Sequence, residues 1–281
     1  MVGKRRAICG HGLVGYAVRM TSAQFHSRSV EELFEVALQS DEDTAWDAVM
    51  ALHWRGSLVV LERGIALTRS SDPVWRARGA DVLSQLGIPE RTYPDQCLAA
   101  VLPLLVDEAA GVVRSAVYAL HHIDSLQAAP HIASLATHLN DDIREAVAFG
   151  LNAVDTSEAH EVLVKLMSDQ SADVRNWATF GVARQSDIDS LDVRGALVAN
   201  LADPGDEVRY EAAIGLARRR DNRSVKTLEQ LLHEDPDDIV AREAAEILLD
   251  LGENETDTVT LLGALQSIDP WDKGLSASTS D

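Results

Sequence analysis

Apolar residues recur along most of the chain at intervals of three and four positions, the spacing that places them on one face of an α-helix. The clearest stretches share an acidic or small start, an apolar residue next to an arginine, and an alanine-rich face. They read DPVWRARGADVLSQLG, GVVRSAVYALHHI, DDIREAVAFGLNAV, DVRNWATFGVA, EVRYEAAIGLARR and DIVAREAAEILLDLG, with a degenerate copy in TAWDAVMALHW. The pattern predicts one helix that is repeated along the chain.

A second kind of amphipathic segment lies between consecutive copies, as in HEVLVKLMSD and VKTLEQLLHED. The junctions SDQSAD, ADPGDE and EDPDD combine Asp, Ser, Pro and Gly in the order that ends one helix and starts the next. The repeated unit is therefore a helical hairpin of about 31 residues. We predict an all-α fold, a right-handed α-solenoid of about seven hairpins plus a terminal helix, DTVTLLGALQSI.

The domain organisation follows from where the repeat begins and ends. Residues 29–268 are predicted to form the solenoid, and residues 269–281 a disordered tail. Residues 1–28 have a basic start and a weakly apolar stretch that loosely resembles a secretory signal, but glycines and His11 dilute it. We expect a flexible or mis-assigned leader there.

Composition narrows the range of partners and compartments. The net charge of −20 is expected to repel nucleic acids and membrane surfaces and to attract basic proteins, although simple solubility explains it equally well. No apolar run reaches the roughly 20 residues that span a bilayer. Two cysteines are too few for a disulfide framework, so a cytoplasmic location is predicted.

The repeat itself, an acidic start followed by Val-Arg and an alanine-rich face, resembles the HEAT repeat over roughly residues 29–268. In its short period and its DxxVR motif, the repeat resembles the compact bacterial subtype named after phycobilisome lyases. The stretches LMSDQSADVRNWATFGVA and DEVRYEAAIGLARRRDNRSVKTLEQLL also resemble HEAT-repeat proteins that are encoded beside Rhs polymorphic toxins and are regarded as their immunity proteins. These resemblances imply a helical solenoid and name a class of relative, but they transfer no partner.

Residues able to carry chemistry do not converge in the sequence. His121 and His122 are adjacent on a helix and point about 100° apart, so they do not form an i, i+4 metal pair. Paired carboxylates fall at predicted helix starts, where they complement the helix dipole. There is no HExxH, CxxC or Gly-x-Ser-x-Gly pattern. We expect a non-enzyme with no cofactor and no metal.

Arginines follow two patterns. One recurs in each repeat and is predicted to bond a carboxylate or helix-end carbonyl of a neighbouring repeat; these are Arg76, Arg114, Arg144, Arg175, Arg209 and Arg242. The other is the cluster LARRRDNRSVK, which could contact phosphate as in HEAT-like DNA glycosylases. A solvated helix end, where cations complement the dipole, is the favoured interpretation of that cluster.

Candidate binding residues come from the inner wall of the array, which second helices line in HEAT proteins. Counting from the Val-Arg anchor, positions zero, four and eight are predicted to form the core and positions two, three and six to face a groove. The resulting protein-binding candidates are Glu145, Phe149, Asn176, Trp177, Phe180, Tyr210 and Glu211, with Ile214 at a groove position as well. The second copy, whose register is one residue short, adds Tyr118 and His122. Aromatic anchors among carboxylates are typical of a surface that binds a basic segment. The alternative is that Trp177 and Phe180 are oversized core residues.

The sequence thus predicts a protein-binding solenoid, an immunity or adaptor protein that engages a basic partner such as a toxin domain. Three alternatives stay open: a general assembly scaffold, a nucleic-acid-binding or DNA glycosylase-like HEAT protein, and a bilin lyase-like protein. The sequence leaves the partner and the oligomeric state unknown.

Overall fold

The structure, a computed structural model, describes residue 25, residues 27–235 and residues 237–249. Within these ranges the chain is mainly helical and contains no β-strand. The predicted terminal helix at 257–268, the predicted tail at 269–281 and most of the predicted leader at 1–28 lie outside the described residues.

The helices follow one another with short connections. In chain order they are α1 (Val30–Gln39), α2 (Glu42–Arg55), α3 (Leu58–Leu67), α4 (Pro73–Ser84), α5 (Pro94–Val101), α6 (Ala110–Ala133), α7 (Asp141–Gly150), α8 (Ser157–Leu166), α9 (Ala172–Arg184), α10 (Leu191–Asn200), α11 (Asp206–Arg218), α12 (Val225–Glu234) and α13 (Ile239–Leu249). A short 3-10 turn, Leu102–Val106, follows α5, and another, Asn222–Ser224, precedes α12.

Of the three junctions singled out in the sequence, only the one before α13 has a side-chain cap, where Asp238 accepts the backbone N–H of Ala241; the N-caps Ser171 and Gly205 make no such bond. Most other helix starts are capped. Ser29 and Glu32 form a reciprocal capping box at the start of α1. Side chains that accept a backbone N–H of the first helical turn also precede α2, α3, α4, α7, α8 and α10; they are Asp41, Ser57, Asp72, Asn140, Thr156 and Ser190. The paired acids, Asp141 with Asp142 and Asp206 with Glu207, lie in first turns. There they complement the free N–H groups and the helix dipole.

The chain forms two compact units, an N-terminal unit up to Asp124 and a C-terminal unit from Ser125 onward. Asp124 interrupts α6 with non-helical backbone angles (φ −158°, ψ 89°). In the N-terminal unit α1 pairs with α2 and α3 with α4; in the C-terminal unit α8 pairs with α9, α10 with α11 and α12 with α13. The second helices α7, α9, α11 and α13 pack side by side in that order. An all-helical array of hairpins is therefore confirmed, while its handedness stays a prediction.

The core positions of the repeat are confirmed in the C-terminal unit. Positions zero, four and eight are all buried in α7, α9 and α11; they are Ile143, Val147, Leu151, Val174, Ala178, Val182, Val208, Ala212 and Leu216. Helices α9 and α11 approach closely, because a Cβ on Gly215 would lie only 2.8 Å from the Cβ of Ala183.

Three of the six recurring arginines bond to a carboxylate of the following repeat, as predicted, whereas Arg209 pairs with Asp206 of its own helix. Arg76, Arg144 and Arg175 bond through Nε to Asp107, Asp169 and Asp203 at 2.7, 2.7 and 2.6 Å. Each of these arginines also donates from Nη1 to two backbone carbonyls in the loop before its own helix. Each aspartate in turn accepts the backbone N–H of the residue two positions after it. One guanidinium thus joins the helix-start loops of two consecutive hairpins.

Candidate protein-binding surface

A row of aromatic side chains crosses the second helices of the C-terminal unit. Phe149 on α7 meets Trp177 on α9 edge to face, with 5.1 Å between ring centres and 85° between ring planes. Trp177 meets Phe180, one turn further along α9, in the same manner at 5.8 Å and 85°. Both geometries are the favoured arrangement of aromatic quadrupoles. We call Phe149, Trp177, Phe180 and Tyr210 the aromatic row.

Arg184, at the end of α9, connects the row to α11. Its guanidinium carbon lies 5.6 Å from the ring centre of Phe180 and 5.3 Å from that of Tyr210. Its Nε and Nη2 donate to the two carboxylate oxygens of Glu211 at 2.5 and 2.9 Å. This bidentate pair and the two ring faces fix the position of Arg184.

Tyr210 extends the network to α13. Its hydroxyl donates to Asp238 Oδ1 at 3.0 Å, and the same oxygen accepts the backbone N–H of Ala241 in the first turn of α13. Because the ring contacts Arg184 and the hydroxyl contacts Asp238, Tyr210 is anchored at both ends.

The pKa values of the ionisable groups in this network are determined by burial and by the charges of neighbouring groups. Burial raises the pKa of Glu211, and the Arg184 cation opposes that rise. Burial alone would lower the pKa of Arg184, but the Glu211 carboxylate and Tyr210 together outweigh it and the pKa is raised. Burial, followed by the Asp238 charge, raises the pKa of Tyr210. The network therefore serves to hold side chains in place.

The predicted site residues differ in how much of each side chain is exposed to solvent. Glu145, Phe149, Asn176, Trp177 and Tyr210 are partly buried and retain a solvent-facing portion. Tyr118 and His122 are also partly buried and belong to the N-terminal unit; the Arg114 guanidinium lies over the Tyr118 ring, and burial, with His121 beside it, lowers the pKa of His122 to about 4.

Phe180 and Glu211 differ from the expectation that they face a groove, since each is only 6% exposed. Ile214, at position six of α11, is buried too. The Arg184 guanidinium lies over the Phe180 ring, and Ile214 packs into the core that α11 shares with α12 and α13. Phe180 is therefore a core residue that supports Trp177, and Glu211 is the internal partner of Arg184.

Sequence reasoning missed Arg184 and Asp238, which join the row to α11 and α13. Arg184 lies at the end of α9 beyond the three positions counted as groove-facing, and Asp238 is the last acid of the junction EDPDD, which the sequence predicts only to start a helix. The available signal was the spacing of Arg184 from Phe180, four residues apart on one helix face.

The basic cluster at the end of α11 is only partly engaged inside the protein, since Arg218, Arg220 and Lys226 are exposed. Arg219 is 9% exposed and donates to the carbonyls of Val182, Ser186, Ile188 and Gly215. Arg223 bonds to Asp221 at 2.5 Å, and Arg218 lies 3.9 Å from Asp187. These contacts tie the cluster to its own unit, and they leave Arg219 unable to reach a phosphate.

Among the described residues no group of His, Cys, Asp and Glu side chains is arranged to hold a metal ion. In the same part of the chain, no helix is both long and apolar enough to cross a membrane.

Comparison with known proteins identifies the repeat. The family model described as HEAT repeats matches residues 160–249 and 194–274. No curated protein matches the chain. YibA of E. coli is a solved structure 24% identical to this chain, with a TM-score of 0.69, covering 95% of this chain and 100% of its own.

Two further solved structures are similar at lower identity. An engineered protein is 21% identical with a TM-score of 0.50 and covers 89% of this chain and 74% of its own. A chain from a structure of Kap95p with RanGDP is 15% identical with a TM-score of 0.50 and covers 88% of this chain but 39% of its own. At these identities the likeness concerns the fold alone. The chain is thus an all-helical repeat protein in which residues 160–274 match HEAT repeats.

Proposed function

We propose that this chain is a non-catalytic, cytoplasmic binding protein that engages one basic protein partner through the surface of α7, α9 and α11. The observation that carries the proposal is the position of Trp177, whose partly exposed indole is held between Phe149 and Phe180. A large aromatic side chain that is already fixed loses little conformational entropy on binding, which is why such residues concentrate binding energy at interfaces.

Charge supports a basic partner. The helix starts beside the aromatic row carry exposed carboxylates, namely Asp141, Asp142, Asp173, Asp206 and Glu207. With a net charge of −20, such a surface accelerates the approach of a cationic partner and repels anionic ones.

The partner we propose is a basic toxin domain, which makes this chain an immunity protein. The support is the resemblance of residues 166–183 and 206–232 to HEAT-repeat proteins encoded beside Rhs toxins. These residues include Trp177, Phe180 and Tyr210 of the aromatic row. A general scaffold is the other candidate, and it predicts contacts dispersed over many repeats.

The proposal is tested by recovering the tagged full-length protein from its native cells at moderate salt and identifying the proteins bound to it. We expect a single stoichiometric basic partner with wild type, its loss with Trp177→Ala, and its retention with Trp54→Ala, a matched control because Trp54 is 50% exposed in the other unit. Loss of a toxic activity on adding the protein in equimolar amount would support immunity. Several partners, or one unaffected by Trp177→Ala, would contradict binding through this surface.

A further inference from the structure

Arg184 shows how this fold holds a guanidinium group. Its guanidinium carbon lies 5.6 and 5.3 Å from the ring centres of Phe180 and Tyr210, and both carboxylate oxygens of Glu211 accept from its nitrogens. The ring faces and the carboxylate act together, because a ring quadrupole and an anion both attract a cation. Arginines also lie over rings in the N-terminal unit, namely Arg28 over Phe25, Arg63 over Phe34 and Arg114 over Tyr118.

Trp177 is the member of the aromatic row whose ring is open to a cation. Among the described residues no cationic side chain lies over its indole, although indole is the ring that attracts cations most strongly. Phe149 and Phe180 meet the indole edge to face and fix its plane. The indole is partly exposed, so part of this fixed ring is free to meet a partner.

A carboxylate that forms no ion pair with the described part of the chain lies next to this ring. Asp173 precedes Trp177 by four residues on α9, so the two side chains lie on one face, one turn apart. Long helical side chains lean toward the N-terminus, which brings the indole toward the turn that carries Asp173. Asp173 is exposed, and the arginine nearest to it in the sequence, Arg175, is bonded to Asp203. The charge left beside the indole is therefore negative.

We infer that Trp177 and Asp173 bind an arginine side chain of the protein partner, with its guanidinium on the open face of the indole and bonded to the Asp173 carboxylate. Arginine fits better than lysine, because a planar guanidinium can stack on a ring while its N–H groups point outward to an anion. A neutral side chain gains neither attraction, and an anionic one is repelled by Asp173. The inference rests on the proposed function and specifies which group of the partner meets the aromatic row.

The test is an NMR titration of the full-length protein, followed at the indole N–H signals of its five tryptophans. Trp177→Phe identifies the Trp177 signal by its loss. The probe is acetyl-Gly-Arg-Gly-amide at about 150 mM salt, which screens non-specific attraction to the acidic surface. Two further peptides carry lysine, or citrulline, which keeps the shape of arginine and removes its charge. We expect a saturable shift of the Trp177 signal with the arginine peptide, binding about threefold weaker with lysine, and about tenfold weaker or more with citrulline.

Two variants separate the contributions of the carboxylate and the ring. Asp173→Asn should weaken binding of the arginine peptide by about threefold. Asp192→Asn is the matched control and should leave binding unchanged, because Asp192 is an exposed acid in the first turn of α10 in the same unit. Trp177→Leu keeps an apolar side chain but removes the ring face, and backbone amide shifts in α9 should then show equal, weak binding of the arginine and citrulline peptides.

Asp173→Asn decides the result if Trp177→Leu does not fold, because Asp173 is exposed. Equal binding of the arginine and citrulline peptides to wild type, no saturation up to about 50 mM, or equal affinity of Asp173→Asn and Asp192→Asn would overturn the inference. A Trp177 signal that shifts with protein concentration alone would show that a second copy of this chain covers the indole, and would overturn it as well.

Failure of this inference is distinguishable from failure of the proposed function. A basic partner that is lost in Trp177→Ala, without any preference of wild type for the arginine peptide, would contradict the inference alone. A preference for the arginine peptide at Trp177, without a basic partner in cells, would contradict the proposed function alone.

Discussion

Trp177 packs edge to face against Phe149 across two consecutive second helices, with their ring centres 5.1 Å apart. On its own helix the same indole meets Phe180, which is 6% exposed. Two side chains that look equivalent in the sequence therefore have different environments: Phe180 is packed inside, and Trp177 retains an exposed portion.

The first prediction separates these two roles by stability. Phe180→Ala should lower the free energy of unfolding by about 3–5 kcal/mol, since it leaves a cavity between α9 and α11. Trp177→Ala should cost less, on the order of 1–2 kcal/mol, because it loses edge-to-face contacts but leaves no enclosed void. Urea unfolding of both variants measures the difference; an equal cost would place Trp177 in the core.

The second prediction concerns the arginine that joins consecutive hairpins. Arg175→Gln should lower the free energy of unfolding by about 3–5 kcal/mol, because it leaves the Asp203 carboxylate without its cationic partner. The Asp203 side chain is only 6% exposed, so water cannot replace that partner. Arg209→Gln is the comparison, since its ion pair with Asp206 is largely in solvent, and that pair should contribute about 1 kcal/mol or less. Similar losses in the two variants would show that the repeated pair is a surface contact.

The third prediction uses two glycines on neighbouring hairpins. A Cβ on Gly181 would lie 2.0 Å from Asn152 Oδ1, whereas one on Gly195, within α10, would meet nothing within 4 Å. We expect Gly181→Ala to destabilise the protein and Gly195→Ala to stabilise it by about 0.5–1 kcal/mol through helix propensity. Thermal unfolding checks both signs, and a gain in stability for Gly181→Ala would contradict the packing of α9 against Asn152.

The fourth prediction is a loss of stability in acid that depends on His53. Burial lowers the pKa of His53 to about 4 from 6.5, although its ring Nε2 lies 2.9 Å from the Asp81 carbonyl. Only the unfolded chain binds this proton between those values, so stability is present above pH 6.5 and is lost as the pH falls toward 4, by about 3 kcal/mol.

Other groups titrate in the same window. His122, with a pKa of about 4, acts in the same direction, while Asp81, with a pKa raised to about 6, opposes it. Comparison of His53→Gln with wild type isolates the His53 contribution, and the variant should show a flatter loss of stability between pH 7 and pH 4.5 in urea unfolding. Parallel curves for the two proteins would contradict a buried neutral imidazole.

The sequence predicted the hairpins and the core at Val174 and Val208, because periodicity along a helix directly reports which face is buried. It did not predict the burial of Phe180, because one helix's pattern does not show how closely the next helix approaches. That approach depends on Gly215 meeting Ala183, a contact between residues 32 positions apart.

The charged contacts were harder still to predict. The role of Arg184 requires Glu211 from the next hairpin, and the ion pair of Arg78 requires Glu42 from the preceding one. In the sequence each of these residues looks like an ordinary charged position on a helix. The repeated Arg175–Asp203 type of pair was predictable because it recurs at the period of the repeat.

The most direct test of the central claim is the equilibrium affinity of the purified partner for wild type and for Trp177→Ala, measured by calorimetry with Trp54→Ala as control. The account predicts that Trp177→Ala weakens binding by about 30-fold or more, as expected for an aromatic anchor, while Trp54→Ala leaves it unchanged. A folded Trp177→Ala protein that binds within about threefold of wild type would contradict binding through the aromatic row.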